Sequence, residues 1–170
     1  MKINREHIKK TFQEYTDRYD STNPKIKLKI DHTYRVANLC EQIAQSLELS
    51  AAEVDLAWLS GMLHDVGRFE QLRRYNTFSD AQSIDHARFA VELLYDEGLI
   101  ADYVPEISTT ELVAGARTWR SMGGANESPT AQSEDMPLSD ILQTIRIAIG
   151  EHSAYRIQKG LDERTRMFCQ

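Results

Sequence analysis

The sequence has few of the features that mark an exported or membrane-spanning protein. It contains only 2 cysteines, Cys40 and Cys169, which lie far apart and outside any CxxC spacing, so we expect free thiols in a reducing compartment. No run approaches the roughly 20 apolar residues that span a bilayer, and the polar N-terminus has no apolar signal core. These absences predict a cytoplasmic protein with no membrane partner.

The sequence also lacks an excess of basic residues. The chain has 20 Lys and Arg against 26 Asp and Glu, which gives a formal net charge of −6. A protein that binds duplex nucleic acid needs a basic surface or stripe, so the composition argues against duplex nucleic acid as the main partner. A small phosphorylated ligand needs only a few local cations and is not excluded.

Helical spacing dominates the apolar pattern of the 170 residues, and few segments alternate for long enough to form strands. The length fits one domain with a buried core. We therefore predict an all-α, single-domain helical bundle over residues 1–170. Glycines, prolines and small polar residues predict a long exposed loop over residues 121–139.

Caps, prolines and glycines predict where the helices begin and end. Pro24 is well placed to open a helix, and Ser50 with Glu53 forms a capping-box pattern. Gly67 is expected to follow the end of a helix. The predicted helices cover about residues 4–19, 24–47, 50–65, 84–95, 111–119, 140–152 and 155–170, with a short helix and a loop within 69–83.

Four of the five histidines lie on the apolar or small-residue side of a predicted helix: His32, His64, His86 and His152. The stripe that follows the first of them consists of Val36, Leu39, Ile43 and Leu47. Small residues beside His64 should let a neighbouring helix approach closely, and Asp65 should also face inward. His7 lies on a charged helix and is expected to be a solvated surface residue.

A single histidine on an apolar face is more often a hydrogen-bonded core residue than a metal ligand. Four inward imidazoles, however, would leave polar nitrogens unpaired, and neutral imidazole is a common ligand for transition metals. A carboxylate such as Asp65 supplies negative charge and can bridge two ions. The residue pattern alone leaves two alternatives open, which are a metal site and a plain helical interaction domain with core histidines.

The segment Gly61–Phe69, which reads GMLHDVGRF, resembles the signature of the HD phosphohydrolase superfamily. The resemblance extends to the segments around His32, His86 and His152, and the order of these residues is similar to the HD branch that holds two metals. It implies an all-helical fold, a divalent-metal cofactor and hydrolysis of a phosphate ester. The expected substrate is a small phosphorylated molecule, with a nucleotide favoured.

The same resemblance implies the ligand sets. His32, His64 and Asp65 would ligate one ion, and Asp65 would bridge to a second ion held by His86 and His152. One or two ions of manganese, iron, cobalt, nickel or zinc suit such ligands. A bound ion lowers the pKa of its water and so supplies a metal-bound hydroxide at neutral pH, which Asp65 would orient.

Arginines near these ligands are candidates for binding substrate phosphate, because a guanidinium group matches phosphate oxygens well. They are Arg35, Arg68, Arg88 and Arg156. Arg68 lies within the signature and is also assigned a catalytic role beside Asp65. The alternative for each of the others is an ordinary solvated or ion-paired arginine.

One element of the family pattern is missing. The family completes its first site with an aspartate beyond the last histidine, whereas the acidic residues after His152 are Asp162 and Glu163, in an earlier turn. We interpret that aspartate as absent through truncation of the chain, with Asp135 and Asp140 as weaker substitutes. The departure keeps two alternatives open, a catalytically impaired HD domain that binds a ligand or regulates and a di-iron oxygenase on the same scaffold. The oligomeric state is not determined.

Overall fold

The computed structural model describes residues 3–106 and 138–152. Every regular element within those ranges is helical, which confirms the predicted all-α class. The helices are α1 (Arg5–Thr16), α2 (Pro24–Ser46), α3 (Ala51–Leu63), α4 (Val66–Tyr75), α5 (His86–Val91, continued by a π-helical turn over Glu92–Asp96), α6 (Ile100–Tyr103) and α7 (Leu138–Glu151), with a 3-10 turn at Asp80–Gln82. None of these helices is long and apolar enough to cross a membrane.

Several predicted features lie in the part of the chain outside these two ranges. The predicted helices over residues 111–119 and 155–170 lie outside the described residues, as does Arg156. The same holds for the predicted loop over 121–139, except that its last two residues, Leu138 and Ser139, already belong to α7.

Side chains at the helix starts accept hydrogen bonds from free backbone N–H groups. Asn23 accepts from the Lys25 N–H, and Pro24 opens α2 as predicted. Ser50 and Glu53 form the predicted capping box at the start of α3. These local signals place both helix starts within one residue of their predicted positions.

The face of α2 that packs inward differs from the predicted one. Leu39, Ile43 and Leu47 are 49%, 58% and 52% exposed, so the prediction that this stripe is buried is wrong. The buried positions include Ala37 and Ala44. The reason is steric, because α2 packs close against α3 and only small side chains fit between the two backbones.

Gly61 permits this close approach. A Cβ atom at Gly61 would lie 2.6 Å from the Ala37 Cα and 3.2 Å from the Cys40 Sγ. A side chain there would force a backbone to move, since the nearest atom belongs to the main chain of α2. The approach brings the rings of His32 and His64 to a centroid distance of 5.3 Å, in agreement with the expectation from small residues.

Gly67 has a packing role different from the predicted one. It lies inside α4, so the prediction that it follows the end of a helix is wrong. A Cβ atom there would lie 2.6 Å from the His86 carbonyl oxygen and 2.8 Å from the Ala90 backbone nitrogen. Gly67 therefore allows α5 to pack directly on the start of α4. The helix break falls earlier, at His64 and Asp65.

An aromatic cluster on α1 supports the start of α4. Phe12 and Tyr15 each contact Phe69 edge-on, with ring centroids 5.9 Å apart in both pairs. The Tyr15 hydroxyl also donates a hydrogen bond of 2.9 Å to the Val66 carbonyl oxygen. These contacts hold the chain immediately after Asp65 against a buried core.

Glu70 is a buried carboxylate on the same helix. Its side chain is 5% exposed and accepts hydrogen bonds from Arg73, at 2.6 Å, and from Arg74. Burial raises the pKa of Glu70, but the two arginines outweigh burial and lower it below its ordinary value of 4.5. Because the folded-state pKa is lowered, ionised Glu70 stabilises the fold above pH 4.5, and this stabilisation is lost as the pH falls through the folded-state pKa.

We expect Glu70→Gln to reduce the free energy of unfolding by about 1–2 kcal/mol at neutral pH. Chemical denaturation of parent and variant, repeated as the pH is lowered from 7 toward 3, should show this difference shrinking, because the parent carboxylate becomes protonated. Glu14→Gln is the control, since Glu14 is an exposed residue of α1. A difference that does not change with pH would contradict the role of the charge.

Candidate metal centre

Four helix ends and the interior of α2 bring the five predicted ligands together. His32 lies within α2, His64 directly follows α3, Asp65 precedes α4, His86 begins α5, and His152 directly follows α7. The Asp65 residue is 3% exposed. All four imidazoles approach its carboxylate through their Nε2 atoms.

The two carboxylate oxygens of Asp65 face different pairs of histidines. Oδ2 lies 3.4 Å from His32 Nε2 and 3.3 Å from His64 Nε2, and these two nitrogens are 3.3 Å apart. Oδ1 lies 3.6 Å from His86 Nε2 and 3.7 Å from His152 Nε2, which are 3.0 Å apart. We call the first set the His32 half-site and the second the His86 half-site; Asp65 belongs to both.

Backbone carbonyl groups orient two of the imidazoles. His64 Nδ1 donates to the Gly61 carbonyl oxygen at 2.7 Å, and His152 Nδ1 donates to the Ile149 carbonyl oxygen at 2.6 Å. A carbonyl oxygen can only accept, so Nδ1 carries the proton in each neutral ring. The lone pair on Nε2 is then free to face Asp65, which is how protein histidines are prepared for a metal.

The spacing of the donor atoms fits a divalent ion. Two ligands about 2.1 Å from one metal lie about 3.0 Å apart at a right angle and about 3.4 Å apart at a tetrahedral angle. The three donor–donor distances are 3.3–3.4 Å in the His32 half-site and 3.0–3.7 Å in the His86 half-site. The His32 half-site matches this spacing, and the two longer distances in the His86 half-site exceed it by a few tenths of an ångström, so each set could hold one ion.

Comparison with known protein families identifies the family of the chain. Residues 30–153 match the HD domain, a region that contains all five predicted ligands and more than half of the chain. The chain belongs to the HD-domain family. HD domains are in general those of metal-dependent phosphohydrolases. Searches of curated proteins and of solved structures found no match.

Two of the predicted ligands are held in the neutral state. The pKa of His32 is lowered from 6.5 by burial and by the Lys29 ammonium group, although Asp65 acts in the opposite direction. The pKa of His86 is lowered by burial, which outweighs its hydrogen bond to Asp80. Neutral imidazole is the form that binds metal, so both residues are ready to ligate at neutral pH.

Asp65, in contrast, is held in the charged state. Burial raises its pKa, but the positive charge of Lys29, which donates a hydrogen bond to the carboxylate, keeps the pKa below its ordinary value. Lys29 Nζ lies 2.6 Å from Oδ2, and Arg68 Nε lies 3.7 Å from Oδ1. A buried carboxylate stays ionised only beside such positive groups, so Asp65 is available as an anionic ligand.

Asp80 links the metal centre to the signature arginine. Its Oδ2 accepts a hydrogen bond of 2.6 Å from His86 Nδ1, which fixes the tautomer of that ring. Its Oδ1 accepts from Arg68 Nη1 at 2.7 Å and from Gln71 Nε2 at 3.0 Å. Arg68 Nη1 also donates to the Phe78 carbonyl oxygen at 2.6 Å. This network fixes the positions of the His86 ring and the Arg68 guanidinium group relative to each other.

Lys29 and Asp80 are the site residues that sequence reasoning missed. Lys29 lies three residues before His32 on α2, so helical spacing was a usable signal for placing both on one face. Asp80 lies six residues before His86, in a 3-10 turn. No periodicity predicts which side chains meet across such a segment.

The predicted phosphate-binding arginines occupy different environments. Arg68 lies beside Asp65, as its place in the signature suggests. Arg35 is exposed, one turn beyond His32 on α2. The side chain of Arg88 is 82% exposed, and its Nε lies 3.8 Å from Asp85. Contacts of Arg35 and Arg88 with a substrate stay predictions.

The remaining histidine lies apart from the centre. His7 is partly buried on α1, and its Nε2 donates to the Asp102 carbonyl oxygen at 2.8 Å. It is therefore anchored to α6 rather than fully solvated, so the prediction of a solvated surface histidine is wrong. Its separate location makes it a useful control for substitutions of the other four.

Proposed function

We propose that this HD domain is a metal-dependent phosphohydrolase that hydrolyses a phosphate ester of a small molecule, with a nucleotide as the expected substrate. The observation that carries the proposal is the single buried carboxylate of Asp65 between two pairs of imidazoles. Paired divalent ions are suited to displacement at phosphorus, since they act on both the attacking and the leaving oxygen. A cytoplasmic location stays a prediction from composition.

The five predicted ligands would be divided between two ions. His32 and His64 would hold one ion with Asp65, and His86 and His152 would hold a second with the same carboxylate. Such ions, when bound, lower the pKa of water and neutralise charge on phosphoryl oxygens. The water oxygen bonds to phosphorus as the ester P–O bond breaks, and the leaving oxygen takes up a proton.

Arg68 is the cation best placed to contact the substrate. Its Nη1 is held by the Phe78 carbonyl oxygen and by Asp80, which fixes the plane of the guanidinium group. Its Nε–H is buried and has no hydrogen-bond partner among the described residues. We infer that this Nε–H donates to a phosphoryl oxygen, because an unpaired buried donor is otherwise unfavourable.

Phosphatase assays test the proposal. The purified chain, supplied with manganese or cobalt, is incubated with p-nitrophenyl phosphate, its bis ester, nucleoside monophosphates and cyclic nucleotides. We expect metal-dependent turnover that falls by at least about 100-fold in His64→Ala, which loses a ligand, and is retained in His7→Ala. Metal binding by the parent without turnover of any of these substrates would contradict the proposal and support a catalytically impaired binding module.

A further inference from the structure

The two half-sites differ in the cation that already contacts Asp65. Lys29 Nζ lies 2.6 Å from Oδ2, the oxygen of the His32 half-site, and the lysine side chain is 18% exposed. Arg68 Nε lies 3.7 Å from Oδ1, the oxygen of the His86 half-site, which is beyond hydrogen-bond distance. Among the described residues, an ammonium group therefore engages one of these oxygens, whereas no Lys or Arg side chain lies within hydrogen-bond distance of the other.

An ammonium group and a divalent ion compete for the same oxygen. A ligating carboxylate oxygen lies about 2.0–2.2 Å from a transition metal. A second positive charge at hydrogen-bond distance from that oxygen repels the ion strongly in a partly buried site. Metal binding at the His32 half-site therefore requires Lys29 to leave Asp65 Oδ2, whereas no comparable bond has to break at the His86 half-site.

The surroundings of Lys29 allow this movement. Lysine carries its charge on a flexible four-carbon stem, and Nζ lies 5.5 Å from the centroid of the Phe78 ring. The aromatic face offers the displaced ammonium group a second partner close to the centre. Lys29 thus differs from Arg68, whose Nη1 atom is held by three hydrogen bonds.

We propose that Lys29 is an internal competitor that makes the His32 half-site the weaker of the two. The His86 half-site fills first, and the His32 half-site fills only when metal displaces Lys29 from Asp65. Lys29 then sets the metal concentration at which the centre holds two ions. This inference rests on the proposed metal centre and extends it to the order of loading.

Calorimetric titration of the full chain with Mn²⁺ or Co²⁺ tests the competition. Lys29→Met removes the charge and keeps most of the side-chain length, and Lys27→Met is the matched control because Lys27 is an exposed residue of the same helix. We expect Lys29→Met to tighten the weaker of two binding steps roughly 10- to 100-fold, with the stronger step little changed. Lys27→Met should titrate like the parent.

Two variants that each lack one predicted ligand show at which half-site Lys29 acts. His86→Ala leaves the His32 half-site intact, and His32→Ala leaves the His86 half-site intact. We expect Lys29→Met to tighten binding in the His86→Ala background and to have little effect in the His32→Ala background. Equal effects in the two backgrounds would overturn the proposal, because a general change in charge would explain them.

A second neutral variant covers the case in which Lys29→Met does not fold. Lys29→Gln also removes the charge but can still donate a hydrogen bond to Asp65, and circular dichroism checks the fold of each variant. Identical titrations of the parent, Lys29→Met and Lys29→Gln would overturn the proposed competition by Lys29 but not the metal centre itself. Absence of metal binding in the parent and in every variant would overturn the metal centre as well.

Discussion

Asp65→Asn is expected to abolish binding of divalent metal at both half-sites. The parent carboxylate contributes Oδ2 to one histidine pair and Oδ1 to the other. An amide is neutral and replaces one of these oxygens by an N–H donor, so the variant loses the bridging charge and one ligand atom. Elemental analysis and calorimetry should find bound metal in the parent and an affinity lower by at least about 100-fold in the variant.

Asp31→Asn is the matched control for this substitution. Asp31 is an exposed carboxylate on α2, directly before His32, so the chemical change is the same but lies outside the centre. The control should bind metal like the parent, and added metal should raise its melting temperature by mass action. If Asp65→Asn kept both binding steps, the imidazoles alone would hold the ions, and the bridging role of Asp65 would be wrong.

The helix starts of α2 and α3 could be predicted because their signals are local. Pro24 fixes a backbone angle at the first helical position, and the reciprocal bonds of Ser50 and Glu53 depend on residues three apart. The buried face of α2 could not be predicted in the same way. It depends on Gly61 of α3, which lets the α2 backbone approach so closely that small side chains such as Ala37 fit there, while Leu39 and Ile43 remain at the surface.

The grouping of the five predicted ligands could be expected for a related reason. Each histidine occupies a helix or the end of one, where spacing and the family resemblance act together. The charges around the ligands come from tertiary contacts instead. Asp80 reaches His86 from a turn, and Lys29 reaches Asp65 across 36 positions of sequence. Neither contact follows from a periodic pattern, yet both change the charge around the predicted ligands.

Asp80→Asn is expected to weaken the His86 half-site selectively. In the parent, the Asp80 carboxylate accepts the His86 Nδ1 proton at 2.6 Å and so directs the Nε2 lone pair toward Asp65. An asparagine can still accept this proton through its amide oxygen, but it lacks the negative charge that makes the imidazole a stronger ligand. Loss of such a supporting carboxylate typically lowers metal affinity about 10- to 100-fold.

Asp80→Asn is introduced into the His32→Ala background, in which the His86 half-site remains, and into the His86→Ala background, in which the His32 half-site remains. Calorimetry should show the loss in the first background and little change in the second. Nitrogen-15 NMR of the imidazoles gives an independent readout, since the parent should show His86 protonated at Nδ1 and Asp80→Asn a mixture of tautomers.

Asp85→Asn separates this effect from a general change in acidic charge near α5. Asp85 directly precedes His86 but caps the helix, accepting hydrogen bonds from the Ala87 and Arg88 backbone N–H groups. Asparagine caps helices about as well as aspartate, so this variant should keep its fold and its metal affinity. Equal losses in the Asp80 and Asp85 variants would mean that local charge, rather than orientation of His86, determines the affinity of this half-site.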